Sequence, residues 1–381
     1  MQTRPTRDLV TISLAFFLVF LGAGAAQPFV IDYLHQGKGI PATQASLVLS
    51  LVYFVFVVFW VFVGRIVDLI GLHAVKILGM ATYALFPFIV YASDSYPVLL
   101  MASVMWGIGA SMFWASSMVK VMNTSTRYAS ATGIIKGAEM SGAMLGAYLL
   151  SVVYTRHGYE AVFVVAAALG VGGLLAMAAS PNRKVAPGKP NFAKFVALMK
   201  RPRTKTVCGL LLASGFAYGI ILNGMKSHIE TACGDGWLRF ILPVFAVTGI
   251  LASVFGGRVC DHVGRWLTFT WAFAIGAAGM WLAAATGEPA LLMLAMLAIG
   301  VQNALVPLSA LGWIGDHTEP HERAQVIGFV LCYRDFGVAL AIQLGGIFTE
   351  TRTAFVVFGA LSAACTLAAL RAMVKTRTGS T

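Results

Sequence analysis

Residues 47–63 are apolar on every face for the length of a membrane-crossing helix, and runs of this kind recur along the whole chain. A helix that is hydrophobic all round has no side to turn to water, so lipid is the solvent that this pattern demands. An outer-membrane barrel would need segments of alternating polarity about ten residues long, and these runs do not alternate. The residue balance agrees, with 59% hydrophobic and 11% charged, against about 25% charged in a soluble domain. Spans of about 20 residues use up nearly all of that apolar material and leave almost nothing for a soluble domain.

Apolar runs between polar breaks predict helices over 9–33, 44–63, 75–92, 97–119, 129–154 and 159–179, then over 206–228, 237–255, 266–285, 289–312, 324–348 and 354–373. The expected architecture is therefore an all-α membrane protein of twelve transmembrane helices. It divides into an N-terminal six-helix bundle, 1–180, a cytoplasmic linker, 181–204, and a C-terminal six-helix bundle, 205–381. Arg4 and Arg7 before an apolar run imitate a signal peptide, but the run continues through Phe29, Val30 and Ile31 to spanning length and is read as uncleaved.

Lys and Arg set the orientation. With the N-terminus inside, only Lys38, Arg156, Arg239 and Arg352 fall on the outer side and Lys136, Lys226 and Arg334 within spans; all the others are cytoplasmic. That asymmetry predicts both termini in the cytoplasm of a cell with an inner or plasma membrane. The net charge of +12 is thus spread over membrane-flanking segments, not gathered on one water-facing surface, which argues against nucleic acid as a partner. Cys208, Cys233, Cys260, Cys332 and Cys365 show no CxxC spacing, and neither a metal nor a cofactor is indicated. The basic, Pro-rich linker contains 192–199, which reads either as a short interfacial helix on anionic headgroups or as part of a solvated tether.

Residues 64–71 read Gly64-Arg65-Ile66-Val67-Asp68-Leu69-Ile70-Gly71, and 193 residues later 257–264 read Gly257-Arg258-Val259-Cys260-Asp261-His262-Val263-Gly264. Gly107 and Gly300 share that offset, and Gly133 and Gly328 are separated by 195. One six-helix unit has been duplicated. Both copies start on the same side, so the repeat is parallel, and a solute site is expected near the membrane midplane.

Twelve spans, a long central linker and two copies of the Gly-x-x-x-Asp-x-x-Gly loop resemble the major facilitator superfamily of secondary transporters over nearly the whole length. The resemblance implies a conformational latch made by Gly64, Asp68 and Gly71 in one copy and by Gly257, Asp261, Gly264 and Arg265 in the other, each Asp facing a helix end. A carboxylate at a helix N-terminus contributes about 0.3–1 kcal/mol, enough to bias a balanced two-state equilibrium. Gly71 and Gly264 themselves are read as turn formers. The first copy departs from the pattern, with Leu69, Leu72 and His73 where basic residues are usual and only Lys76 nearby. Ser103 stands where the Arg-x-x-x-Gly-x-Gly pattern of Gly107 and Gly109 has its arginine, and the stretch from Gly142 to Gly146 lacks the proline of the drug antiporters.

Charges within spans are the candidates for function, because a charge at mid-bilayer costs about 2.5–3.5 kcal/mol even on permissive scales. Lys136 lies nine residues past Arg127, a rise of about 13.5 Å that puts it near midplane, with Glu139 one turn further on. Arg334 and Asp335 reach a similar depth past Arg323, and the 195-residue offset pairs Arg334 with Glu139. These groups read either as internal ion bridges or as groups that meet solute or proton. Neighbouring helical positions point about 100° apart, so Arg334 and Asp335 cannot both face one site; Lys136, Glu139 and Arg334 are the preferred set. Gln27 beside Pro28, Asn223 at its repeat-equivalent, Gln302 and Asn303 add polar walls or interhelical hydrogen bonds. Trp106, Trp114 and Tyr333 add aromatic faces or packing.

These readings converge on a monomeric, non-enzymatic secondary transporter for a small organic solute, anionic or zwitterionic, with protons as a candidate coupling ion. Efflux of amphipathic drugs, or a receptor of the same shape that carries nothing, are the alternatives.

Overall fold

The apolar runs fold as helices throughout. The computed structural model describes residues 7–180, 192–345 and 351–377, and within them every regular element is helical: α1 (Arg7–Val19), α2 (Ala25–Asp32), α3 (Ala42–Phe59), α4 (Val63–Ile70), α5 (Leu72–Ala92), α6 (Tyr96–Thr124), α7 (Tyr128–Ala178), α8 (Phe192–Lys200), α9 (Pro202–Cys233), α10 (Leu238–Val263), α11 (Arg265–Ala285), α12 (Pro289–His317), α13 (Arg323–Gly345) and α14 (Thr351–Arg377). α1 and α2 form one continuous crossing, Arg7–Gly37, interrupted by wide π-helical turns at Phe20–Gly24 and Tyr33–Gly37. The first wide turn ends four residues before Pro28, where a regular helix would drive the proline ring into the Gly24 carbonyl.

Among the described residues, 11 helices are long and apolar enough to cross a membrane. One of them, α7, has 51 residues and would be about 76 Å long if straight, more than twice the hydrocarbon thickness. It is broken at Gly158, whose φ of 79° and ψ of −175° leave the helical region. Contacts with the first crossing show that the chain reverses there. A side chain at Gly142 would meet Phe17 and one at Gly146 would meet Leu21 and Ala25, whereas on the second arm Ala166 lies against Gly22 and Gly173 against Ala15 and Val19. Contact order rises along one arm and falls along the other, so the arms are antiparallel and make the fifth and sixth crossings. Eleven helices therefore hold the twelve crossings expected from the sequence.

The chain groups into two units, one of Met1–Thr126, Ile134–Pro190 and Glu319–Gly328, the other of Arg127–Gly133, Asn191–Thr318 and Phe329–Thr381. The long helices α7 and α13 contribute to both, each starting in one unit and continuing in the other. The first unit is centred on aromatic packing, with Phe16 and Phe113 rings 4.4 Å apart and Phe86 stacked on Trp106 at 4.2 Å. The second is centred on aliphatic side chains of α9, α11, α12 and α14, among them Ile220, Met280, Met296 and Ile299. Phe192–Lys200 is helical; residues 181–191 lie outside the described set.

The Gly-x-x-x-Asp-x-x-Gly segments are not loops as the sequence suggests. Val63–Ile70 is helical, and 257–263 is the last part of α10; only Gly71 and Gly264 leave the helix, with φ of 85° and 100°. A one-residue reversal of this kind needs the left-handed region that glycine enters without cost from a Cβ. The amide of Gly71 still closes on Val67 O at 2.9 Å and that of Gly264 on Cys260 O at 3.2 Å, so each helix has one of its terminal carbonyls satisfied by the glycine that ends it.

Candidate functional site

In the first unit α7 carries Lys136 and Glu139, one turn apart, and the spacing read from the sequence becomes a contact: Lys136 Nζ lies 2.5 Å from Glu139 Oε1. The side chains are 21% and 11% exposed. The Lys136 ammonium also stands 4.9 Å from the centre of the Trp114 ring of α6, a cation–π distance. Trp114 is held edge-on by Phe16 at 5.1 Å, so the ring is fixed by the aromatic core of its own unit.

In the second unit α13 carries Arg334 and Asp335. The Arg334 guanidinium donates to Asn303 Oδ1 of α12 at 3.1 Å and to Asp335 Oδ1 at 3.4 Å, and lies 5.3 Å from the Tyr218 ring of α9. Its Nε is buried and has no hydrogen-bond partner among the described residues. Long side-chain reach overcomes the divergence of neighbouring helical positions, so Arg334 and Asp335 touch although their Cβ atoms point apart. Tyr218 was not singled out by sequence reasoning; its pairing joins two helices more than a hundred residues apart, and no local spacing announces it.

Other predicted residues lie elsewhere. Gln302 is 1% exposed and donates from Nε2 to Ser362 Oγ of α14 at 3.2 Å, an interhelical hydrogen bond inside the second unit. Trp106 is 2% exposed between Phe86 and Tyr83, in the core of the first unit. Gln27 accepts a hydrogen bond from Tyr53 OH of α3. Tyr333 is half-buried with its ring edge-on to Phe329 at 5.6 Å. The side chain of Asn223 lies outside the described residues, as does that of Lys226.

The two Gly-x-x-x-Asp-x-x-Gly segments differ in what their aspartates do. Asp261 accepts from the backbone amides of Ala129 at 3.2 Å and Ser130 at 2.8 Å and from Ser130 Oγ at 2.5 Å, at the first turn of α7. Arg265 links it to α12, with Nη1 2.6 Å from Asp261 Oδ1 and Nε 2.9 Å from Asp316 Oδ2. A carboxylate on free amides at a helix N-terminus meets both their hydrogen-bonding need and the positive end of the helix dipole. Asp68 is exposed, with the side chain of His321 in its vicinity.

The eleven membrane-length helices among the described residues make this a multi-pass membrane protein. The family model described as Major Facilitator Superfamily matches residues 12–232 and 210–381, and the chain belongs to that family of transporters. It is 23% identical over 355 residues to the uncharacterized MFS-type transporter YhhS of Escherichia coli K12, covering 89% of this chain and 85% of that protein. It is 25% identical over 214 residues to the chromaffin granule amine transporter of Rattus norvegicus, 54% of this chain but 41% of that one, so the match spans well under half of that relative. Among solved structures, the human organic anion transporter MFSD10 superposes with a TM-score of 0.76 at 16% identity, over 97% of this chain and 100% of that chain. The E. coli fucose:proton symporter FucP superposes with a TM-score of 0.77 at 12% identity, over 95% and 97%.

Proposed function

We propose that the protein is a secondary transporter that carries a small organic anion or zwitterion across the inner or plasma membrane by alternating its exposure to the two sides, with both termini cytoplasmic. Residues 1–180 and 205–381 are the two halves in this reading and 181–204 is the linker. The observation that carries it is the Arg334 guanidinium. It is a permanent cation inside a membrane-length helix, it is only partly exposed, and its neighbours take two of its five N–H donors. The contact from Nη1 to Asp335 is long at 3.4 Å, so a solute carboxylate that takes its place gains a charge-assisted pair without breaking a strong one.

Lys136 and Glu139 are the coupling pair. A carboxylate whose ammonium partner is drawn away by an anionic solute is left to take up a proton, which links solute and proton movement. Glu139→Gln is expected to abolish pH-gradient-driven flux in proteoliposomes while leaving exchange of solute across a pH-equal membrane within about twofold of wild type. Flux that still follows the pH gradient would remove Glu139 from the coupling.

The identifying experiment is a thermal-shift screen of mono- and dicarboxylates, amino acids and amines on wild type and Arg334→Ala. A ligand of the folded state raises the melting midpoint by linkage, about 2.7 kcal/mol of stabilisation at a hundred times its Kd. Carboxylate-dependent shifts that vanish in the variant support the reading. The second reading, an amine as solute, is favoured by one observation: Lys136 itself shows a primary ammonium fitting between the Trp114 ring and Glu139. Shifts by amines alone, retained in Arg334→Ala, would select it. Shifts without counterflow of the bound compound would select a receptor.

A further inference from the structure

The repeat offsets allow the polar fixings of the two helix starts, those of α7 and α13, to be compared position by position. Subtracting 193 takes Asp261, Arg265 and Asp316 onto Asp68, Leu72 and Asn123; adding 195 takes Ala129 and Ser130 onto Ala324 and Gln325. The backbones approach closely in both copies. A methyl group built at Gly257 would lie 3.0 Å from Ser130 Cα, and one at Gly64 would lie 2.7 Å from Gln325 Cα.

The chemistry differs. In the second unit Asp261 holds the start of α7 by its amides, and Arg265 ties Asp261 to Asp316. In the first unit the basic link is gone, since Leu72 replaces Arg265, and Asp68 faces solvent. The start of α13 is held instead by Arg323, 5% exposed, whose Nη1 donates to Met122 O at 2.8 Å and to Asn123 Oδ1 at 2.6 Å. α6 ends at Thr124, so the Met122 carbonyl is one of the terminal acceptors that the helix leaves open. A guanidinium there meets the negative end of the helix dipole. One copy thus fixes a helix start with an anion on free amides, and the other with a cation on free carbonyls.

We infer that Arg323, with Asn123 and the Met122 carbonyl as its acceptors, is the positioning residue that clamps the start of α13 within the first unit, and that Asp68 does not share this task. The inference adds to the transport reading a statement of which contact must release when α13 moves, and it depends on that reading only for its consequence in transport.

The test needs no solute. Spin labels on genetically encoded residues at Leu69 and Pro320, both exposed, report the distance between the end of α4 and the segment leading into α13 in the full-length protein in nanodiscs, with the native cysteines kept. Arg323→Gln is expected to enlarge the long-distance population by about tenfold or more, because hydrogen bonds to a charged group are the strong class. Asn123→Ala should shift it part of the way, and Arg323→Gln with Asn123→Ala should shift it no further than Arg323→Gln alone. Asp68→Asn should leave it unchanged. A distribution indifferent to Arg323→Gln, or moved as far by Asp68→Asn, overturns the inference. If Arg323→Gln does not yield folded protein, Asn123→Ala is judged by the same distance, and no shift there also overturns it. Because labels and variants report on the clamp alone, failure to find a transported solute leaves this result standing, and the reverse also holds.

Discussion

Replacing Arg334 by alanine is expected to lower the initial rate of solute flux by about a hundredfold or more while the protein still folds. Removing one partner of a buried, hydrogen-bonded charge contact costs about 2–5 kcal/mol in binding, and in the proposed function the variant removes the guanidinium that receives the solute. Asn303 keeps its oxygen and Asp335 loses only a contact of 3.4 Å, so the damage to the fold should be small. Arg334→Lys separates charge from geometry. The ammonium is a point charge without the planar fork that grips a carboxylate at two oxygens, so it should recover part of the rate and show a weaker apparent affinity. Flux measured in proteoliposomes, with the melting midpoint measured beside it, decides. An Arg334→Ala protein that transports at the wild-type rate would sink the assignment of the solute site.

The second large effect is steric. A side chain built at Gly215 of α9 collides with the carbonyl oxygen of Arg334 and comes within 2.9 Å of its carbonyl carbon and 3.0 Å of the Val338 amide nitrogen. These are backbone atoms, so no rotamer change relieves the clash, and α9 and α13 must part. Overpacking of this kind costs about 1–3 kcal/mol and occasionally more. Gly215→Leu should therefore lower the melting midpoint by about 5 °C or more. Since the obstructing carbonyl belongs to Arg334 itself, flux should fall further than stability does. Gly209 lies on the same helix, and a Cβ there meets nothing within 4 Å; Gly209→Leu is the matched control and should be close to neutral. Equal behaviour of the two variants would refute the close approach.

Some of this site is legible in the chain and some is not, for physical reasons. Lys136 and Glu139 stand one turn apart on one helix, where side chains three positions apart meet by construction, and the pair is found at 2.5 Å. The number of turns that separates these charges from Arg127 and Arg323 follows from residue counts, because helical rise is constant. What joins one helix to another does not follow from rise or period. Tyr218 beneath Arg334, Tyr53 on Gln27 and Ser362 on Gln302 are such partners. For the same reason polarity within a span did not distinguish wall from core: Gln302 and Trp106 are both almost wholly buried in their own units. The repeat was visible in the glycines, yet equal spacing concealed unequal chemistry. Leu72 opposite Arg265 and Asn123 opposite Asp316 could be read from the offset, but only the contacts of Arg323 show what took over. The turn segments were misjudged because charged residues at a helix end resemble a loop in composition, whereas the break itself is one glycine long.

That brevity has a mechanical consequence. At Gly158, as at Gly71 and Gly264, a single residue of positive φ separates two crossings of opposite direction. A connection with no spare length transmits a tilt instead of absorbing it, so each of these pairs should travel as one stiff fork. Among the described residues the longer connections are 38–41 and 318–322, and the hinges of the described chain are to be sought there.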